Sequence, residues 1–132
     1  MKAGSTERGE SLSEKPFRLQ DLEIWKRGAL INGPLFALAD ELDQKRFYRF
    51  AEQLRSATLS LTNNIAGESG RTSKTDFANF LNSARRSVFE VAKILILLSQ
   101  HNKRPAVKIS PLLNDLEEES RLIPAFIRHL KS

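Results

Sequence analysis

Apolar positions recur at steps of three and four along four stretches of the chain, and each stretch predicts an amphipathic helix. The first runs from about Asp21 to Leu42, with Leu22, Trp25, Ala29, Phe36 and Ala39 at helical spacing. Asn32, Gly33 and Pro34 interrupt it. An interior proline removes a backbone hydrogen bond and collides with the preceding turn, so a kink or break is expected near Gly33. The second stretch, Phe47 to Ala66, sets Phe47, Phe50, Ala51, Leu54, Ala57, Leu61 and Ile65 on one face. It is expected to stop at Gly67, with Gly70 close behind, because glycine takes up the left-handed cap conformation without steric cost.

The third stretch, Lys74 to about Ser99, opens with Ser73 and Asp76 at the spacing of a capping box. Phe77, Leu81, Ala84, Val88, Val91 and Leu95 form its stripe, and the apolar run Ile94 to Leu98 predicts that its C-terminal end is the most buried part. Asn102 and Pro105 break the pattern between His101 and Lys108. Ser110 as N-cap and Pro111 at the first helical position then predict a fourth helix. Its apolar face is Leu112, Leu113, Leu116, Ile123, Phe126, Ile127 and Leu130, and Pro124 is expected to bend it.

No window alternates apolar and polar residues, so a sheet has no support. Four helices on short connections predict an all-α fold, an antiparallel up-down four-helix bundle. A length of 132 residues fits one core. The bundle is placed at residues 17–132, and residues 1–16, which alternate charge with Gly and Ser, are read as a disordered N-terminal tail. The longest apolar run is five residues, Ile94 to Leu98, where a membrane span needs about 20. With no cysteine and no apolar leader segment, a cytoplasmic protein without a membrane partner is expected.

Catalytic chemistry has little to stand on. The two histidines, His101 and His129, lack a ligand at helical i+3 or i+4 spacing, and Gly67 and Gly70 lack the strand and lysine of a phosphate loop. Asp115, Glu118 and Glu119 share a helical face, with Arg121 in reach of Glu117 and Glu118, which reads as a solvated, salt-bridged surface. No active site, metal or cofactor is assigned. Trp25 reads as a core or interface anchor.

Charge is more informative. The net charge is +5, and residues 45–100 hold nine basic and four acidic side chains. Lys45, Arg46 and Arg49 gather where the second helix starts, where the helix dipole disfavours cations. Arg71 and Lys74 flank the third helix start. Arg86 and Lys93 share a polar side of that helix with Asn79 and Asn82, bordered by Phe89. These seven cations are the candidate nucleic-acid contacts. The competing reading is a solvated surface with Arg86 paired to Glu90. Leu59 and Ala66 on the second helix and Phe89 on the third lie off the core stripes and are the candidate oligomer contacts. Ser56, Ser60, Asn63 and Gly67 form a stripe of small side chains that would let another helix approach closely.

The segment Gln53 to Arg71, containing Asn63-Asn64-Ile65-Ala66, resembles the central motif of the four-helix bundle family encoded in intervening sequences of bacterial large-subunit ribosomal RNA genes. Phe17 to Trp25 is similar to that family's opening, Phe80-Leu81 to its third helix, and Ala84 to Glu90 to its Ala-x-x-Ser-hydrophobic-x-Glu stretch. One departure is that Gly67 precedes Glu68, where the family reads Glu then Gly. The resemblance implies an up-down bundle, often a ring-shaped homopentamer, without established catalysis. Accessory proteins of diversity-generating retroelements look like relatives, and they bind nucleic acid and a reverse transcriptase. The expected function is therefore a non-catalytic, homo-oligomeric adaptor for RNA or DNA, with a reverse transcriptase as one candidate partner. The alternative is a protein-interaction scaffold that binds no nucleic acid.

Overall fold

The computed structural model describes residues 18–66 and 73–131, and side chains from residue 23 onward within them, Ala66 excepted. Four helices follow one another: α1 (Arg18–Gln44), α2 (Tyr48–Ala66), α3 (Lys74–Gln100) and α4 (Ala106–Lys131). No strand occurs among the described residues. Each helix packs against its neighbours in the chain, and α1 closes against α4.

The contacts give the directions. Asp40 and Asp43 of α1 meet Arg55 of α2 at 2.6 and 2.7 Å. Asn32 meets Thr62 at 2.8 Å, and Gly28 lies beside Ile65. Positions fall along α1 as they rise along α2, so the two run antiparallel. Gly28 and Glu41 of α1 meet Glu119 and Arg104, on or just before α4, in the same reversed order. The ring of Phe77 near the start of α3 meets that of Phe126 near the end of α4, edge to face, at 5.6 Å and 83°.

The stripes on α2 and α3 hold. Ala51, Leu54, Ala57, Leu61 and Ile65 are buried on α2, with Phe47 and Phe50 packed at the margin, and all six stripe positions of α3 are buried. The Ser73 hydroxyl accepts the Asp76 backbone N–H at 3.1 Å and caps α3 as its spacing predicts. The end of α3 is less enclosed than expected, since Ile96 is exposed.

Three expectations fail, each for a visible reason. First, α1 runs unbroken through Pro34. Pro34 and Gly33 are on the outer face, and so is Leu30, 72% exposed, whose carbonyl loses its helical donor to the proline on a side of the helix open to solvent. The face α1 buries is Ile24, Ile31, Leu35, Leu38, Ala39 and Leu42, while Trp25 and Ala29 are exposed beside α2. Second, α4 begins at Ala106, directly after Pro105, so Pro111 lies inside it and the Ser110 hydroxyl bonds back to the Ala106 carbonyl at 3.1 Å instead of capping. Third, Glu119 is not on a solvated face. It has no exposed surface, whereas Glu117 and Glu118 pair with Arg121 outside. The proposed tail, residues 1–16, and Gly67, Glu68, Gly70 and Arg71 lie outside the described residues.

Candidate nucleic-acid interface

Two turns define one pole of the bundle. In the first, the Phe47 N–H donates to the Leu42 carbonyl at 2.8 Å and the Arg46 N–H to that of Asp43 at 2.9 Å, with Arg46 at φ 69°. In the second, the Lys103 N–H donates to the Leu98 carbonyl at 2.8 Å and the Asn102 N–H to that of Ser99 at 3.1 Å, with Asn102 at φ 59°. Both are helix closures of the Schellman type. Asparagine tolerates the left-handed conformation, whereas arginine occupies it at a cost of about 1–2 kcal/mol.

The turns touch. The Lys103 ammonium sits 4.6 Å from the centre of the Phe47 ring, and Arg104 forms an ion pair with Glu41. This brings Lys45, Arg46, Arg49, Lys103, Arg104 and Lys108 to the same end of the molecule. Glu41 serves both Lys45, at 3.1 Å, and Arg104. Burial raises its carboxyl, but the hydrogen bonds and charges of Lys45 and Arg104 more than offset this and hold it below the usual value. Asp40 and Asp43, the next nearest acids on α1, are engaged by Arg55. Arg46, Arg49 and Lys108 are exposed and have no ion pair among the described residues. The C-termini of α1 and α3 lie at this pole, and their dipoles oppose those of α2 and α4. The N-termini of α2 and α4 open at the same pole with no acidic residue in their first turns, so no side-chain carboxylate of those turns competes for their free N–H groups. The pole is suited to bind anions.

The other sequence-derived cations are not brought there. Lys74 is exposed at the opposite end, about 40 Å away for a helix of 27 residues. Arg86 and Lys93 lie on the outer side of α3, where Arg86 donates to the Ser83 hydroxyl at 2.9 Å and Lys93 pairs with Glu90 at 3.3 Å. Glu90 is thus engaged by Lys93, not by Arg86. Arg71 lies outside the described residues. Lys103, Arg104 and Lys108 escaped the sequence reading because they sit past the third helix, and only the contact between the turns joins them to Lys45, Arg46 and Arg49.

Along the α2–α3 seam the small side chains have a purpose. The Ser60 and Ser87 hydroxyls bond at 2.9 Å, and the Asn64 amide donates to the Ser60 carbonyl at 2.9 Å. Ser56 and Ser60 line a shallow polar groove there, with Arg86 and Glu90 on its α3 side. The two described oligomer candidates are exposed, Leu59 at 50% and Phe89 at 56%. Leu59 lies between Arg55 and Thr62, which both reach α1, so it belongs to the α1 side of α2. Phe89, with the Arg85 guanidinium 5.8 Å from its ring centre, is turned about a third of a revolution from the seam residues Ser83, Ser87 and Glu90. The two therefore mark different faces of the bundle. The side chain of Ala66 lies outside those described.

Among the described residues no group of three His, Asp or Glu side chains is placed to hold a metal ion. His129 stacks on Phe126 at 6.1 Å between ring centres, and His101 is exposed at the basic pole. No described helix is long and apolar enough to cross a membrane.

A four-helix bundle with a basic end and a polar seam is the class of protein defined here. Residues 20–125 match the model of the family described as 23S rRNA-intervening sequence protein, and the chain belongs to that family. No curated protein and no solved structure matches it.

Proposed function

We propose that this protein is a homo-oligomeric, non-catalytic adaptor that binds nucleic acid, RNA in the first instance, through its basic pole. The observation that carries this reading is the convergence of Arg46, Arg49, Lys103 and Lys108 at two helix N-termini that lack acidic residues. Phosphate oxygens suit such a surface, and contacts of this kind release counterions without reading sequence. The family's description, which refers to 23S rRNA, supports a reading of RNA ahead of DNA. Arg86 on the polar groove and Lys74 at the far end extend the footprint in a second rank. Lys45 and Lys93, each paired with a neighbouring glutamate, add less.

Self-association multiplies these weak contacts. Leu59 and Phe89 mark two separate faces, as a head-to-tail contact requires, and such contacts close into rings. Five subunits is the proposed number. Nucleic acid or a reverse transcriptase then meets a ring of repeated basic poles.

The test is RNA binding by fluorescence anisotropy over a range of salt concentrations. The logarithm of the affinity should fall linearly with the logarithm of salt, by about 0.7–0.9 per phosphate neutralised. Arg49→Ala with Lys108→Ala should lower both affinity and slope, and more than Arg86→Ala with Lys93→Ala does. An unchanged slope removes the pole from the interface. Absence of binding at low salt overturns the reading in favour of a protein-interaction scaffold.

A further inference from the structure

Glu119 has no place in that interface, and it is the one ionisable side chain fully buried among the described residues. Neither of its carboxyl oxygens has a hydrogen-bond partner. Leu116 and Ile123, the buried residues one turn to either side on α4, enclose it along the helix. Across from it is Gly28 of α1, where an added Cβ would lie 4.0 Å from the carboxyl Oε2 and 3.3 Å from Ile65 Cδ1 of α2. The absence of a side chain at Gly28 makes the room that the carboxyl fills. A charged carboxylate sealed this way is far costlier than a neutral one, because no donor replaces its lost water.

Directly outside is a cleft of about 140 Å³ between α1 and α2, lined by Trp25, Gly28, Ala29, Asn32, Thr62 and Ile65. Gly28 and Ile65 belong both to this cleft and to the surroundings of the carboxyl. Gly28 and Ile65 thus lie between the cleft and the carboxyl. We propose that Glu119 is a proton-controlled latch: protonated, it lets α4 pack closed against α1 and α2; ionised, it draws water through the Trp25 cleft and loosens that corner of the bundle.

The charged groups that act on it are few. Burial raises the carboxyl most; Arg27 of α1 lowers it, and Glu23 of α1 raises it, the net result being about 8. Arg27 and Glu23 pair with each other at 3.2 Å, so their influences oppose. On the α2 side, Ile65 and Thr62 line the cleft beside Gly28 and carry no charge, and no charged group of α2, α3 or α4 among the described residues shifts Glu119. The latch therefore works just above neutral pH.

Trp25 is the only tryptophan in the chain and lines the cleft, so its fluorescence reports the corner directly. In the full-length protein, raising the pH from 6 to 10 should shift Trp25 emission to the red and increase acrylamide quenching, with a midpoint near 8. In Glu119→Gln, neutral and nearly the same shape, both signals should stay flat over that range. The comparison also separates the latch from the α-amino group, which titrates nearby at about 8. A transition of equal size in Glu119→Gln, or none in the unsubstituted protein, overturns the proposal. Carbon-13 NMR of glutamate carboxyls in the unsubstituted protein gives a readout independent of that variant. One resonance should titrate near 8, and a spectrum in which every glutamate titrates below about 6 refutes the latch.

Discussion

The Lys103 ammonium lies 4.6 Å from the centre of the Phe47 ring, joining the turn between α1 and α2 to the turn between α3 and α4. The two residues are far apart in the chain and neither belongs to a regular helix. Their contact, with the Glu41–Arg104 ion pair beside it, gathers cations from both turns onto one end of the bundle. A cation over an aromatic face at the surface contributes about 0.5–1 kcal/mol. The placement of the neighbouring charges matters more than that energy.

Arg46 at φ 69° holds a left-handed conformation that is costly for a residue with a side chain. Arg46→Gly should stabilise the fold by about 1 kcal/mol, because glycine adopts this conformation freely. The same change should weaken RNA binding. Urea denaturation and anisotropy measured together check the opposed signs, and a loss of stability would show that the arginine side chain supports the turn.

The two glycines of α1 should respond differently to alanine. Nothing lies within 4 Å of an added Cβ at Gly33, so Gly33→Ala should stabilise by about 0.5–1 kcal/mol through helix propensity alone. At Gly28 the new carbon meets Ile65 Cδ1 at 3.3 Å, close to the Glu119 carboxyl, so the propensity gain is offset by crowding. Thermal denaturation of the two variants should place Gly28→Ala below Gly33→Ala; equal gains would contradict the packing at Gly28.

Two carboxyls tilt the dependence of stability on pH in opposite directions. The Glu41 carboxyl is held below its ordinary value of 4.5, so its contribution is present above that pH and is lost as pH falls through the folded-state value. Glu119 is raised from 4.5 to about 8. Between those values the unfolded chain releases a proton that the folded chain keeps, so stability falls as pH rises, by up to about 1.4 kcal/mol per unit. Above 8 the loss levels off. Urea midpoints from pH 3 to 9 should therefore peak on the acid side of neutral, and Glu119→Gln should move the peak toward neutral pH. A midpoint that stays level from pH 5 to 8 in the unsubstituted protein would contradict this.

The proposed head-to-tail association makes a distinctive forecast. Leu59→Lys and Phe89→Lys should each reduce the assembly to the 15.0 kDa monomer while leaving the helical spectrum intact, since both side chains are at least half exposed. Mixing the two variants restores one good contact per pair and should give a dimer that grows no further. Light scattering distinguishes this from a ring. By contrast, Leu81→Ala, at a fully buried site, should cost about 2–5 kcal/mol of stability through the cavity it leaves.

The number of helices and the inward faces of α2 and α3 were determined by the sequence itself. A single apolar stripe at helical period has only one way to escape water, as the burial of Leu54, Leu61, Leu81 and Val88 shows. The family was legible for a related reason, since the motif around Asn63 to Ala66 is local in the chain. What the tertiary structure decided were matters of neighbours. Apolar residues lie on two sides of α1, and only the position of α2 settled that Ile31 and Leu35 go inside while Trp25 borders a cleft. Pro34 is tolerated because its side of the helix faces water. Glu119 follows Glu117 and Glu118 in sequence, but helical rotation and the gap at Gly28 carry it into the core. Likewise, no local pattern links Lys103 and Lys108 to Arg46 and Arg49; the antiparallel packing of long helices brings both turns to the same end, and electrostatic potential depends on distance in space, not along the chain.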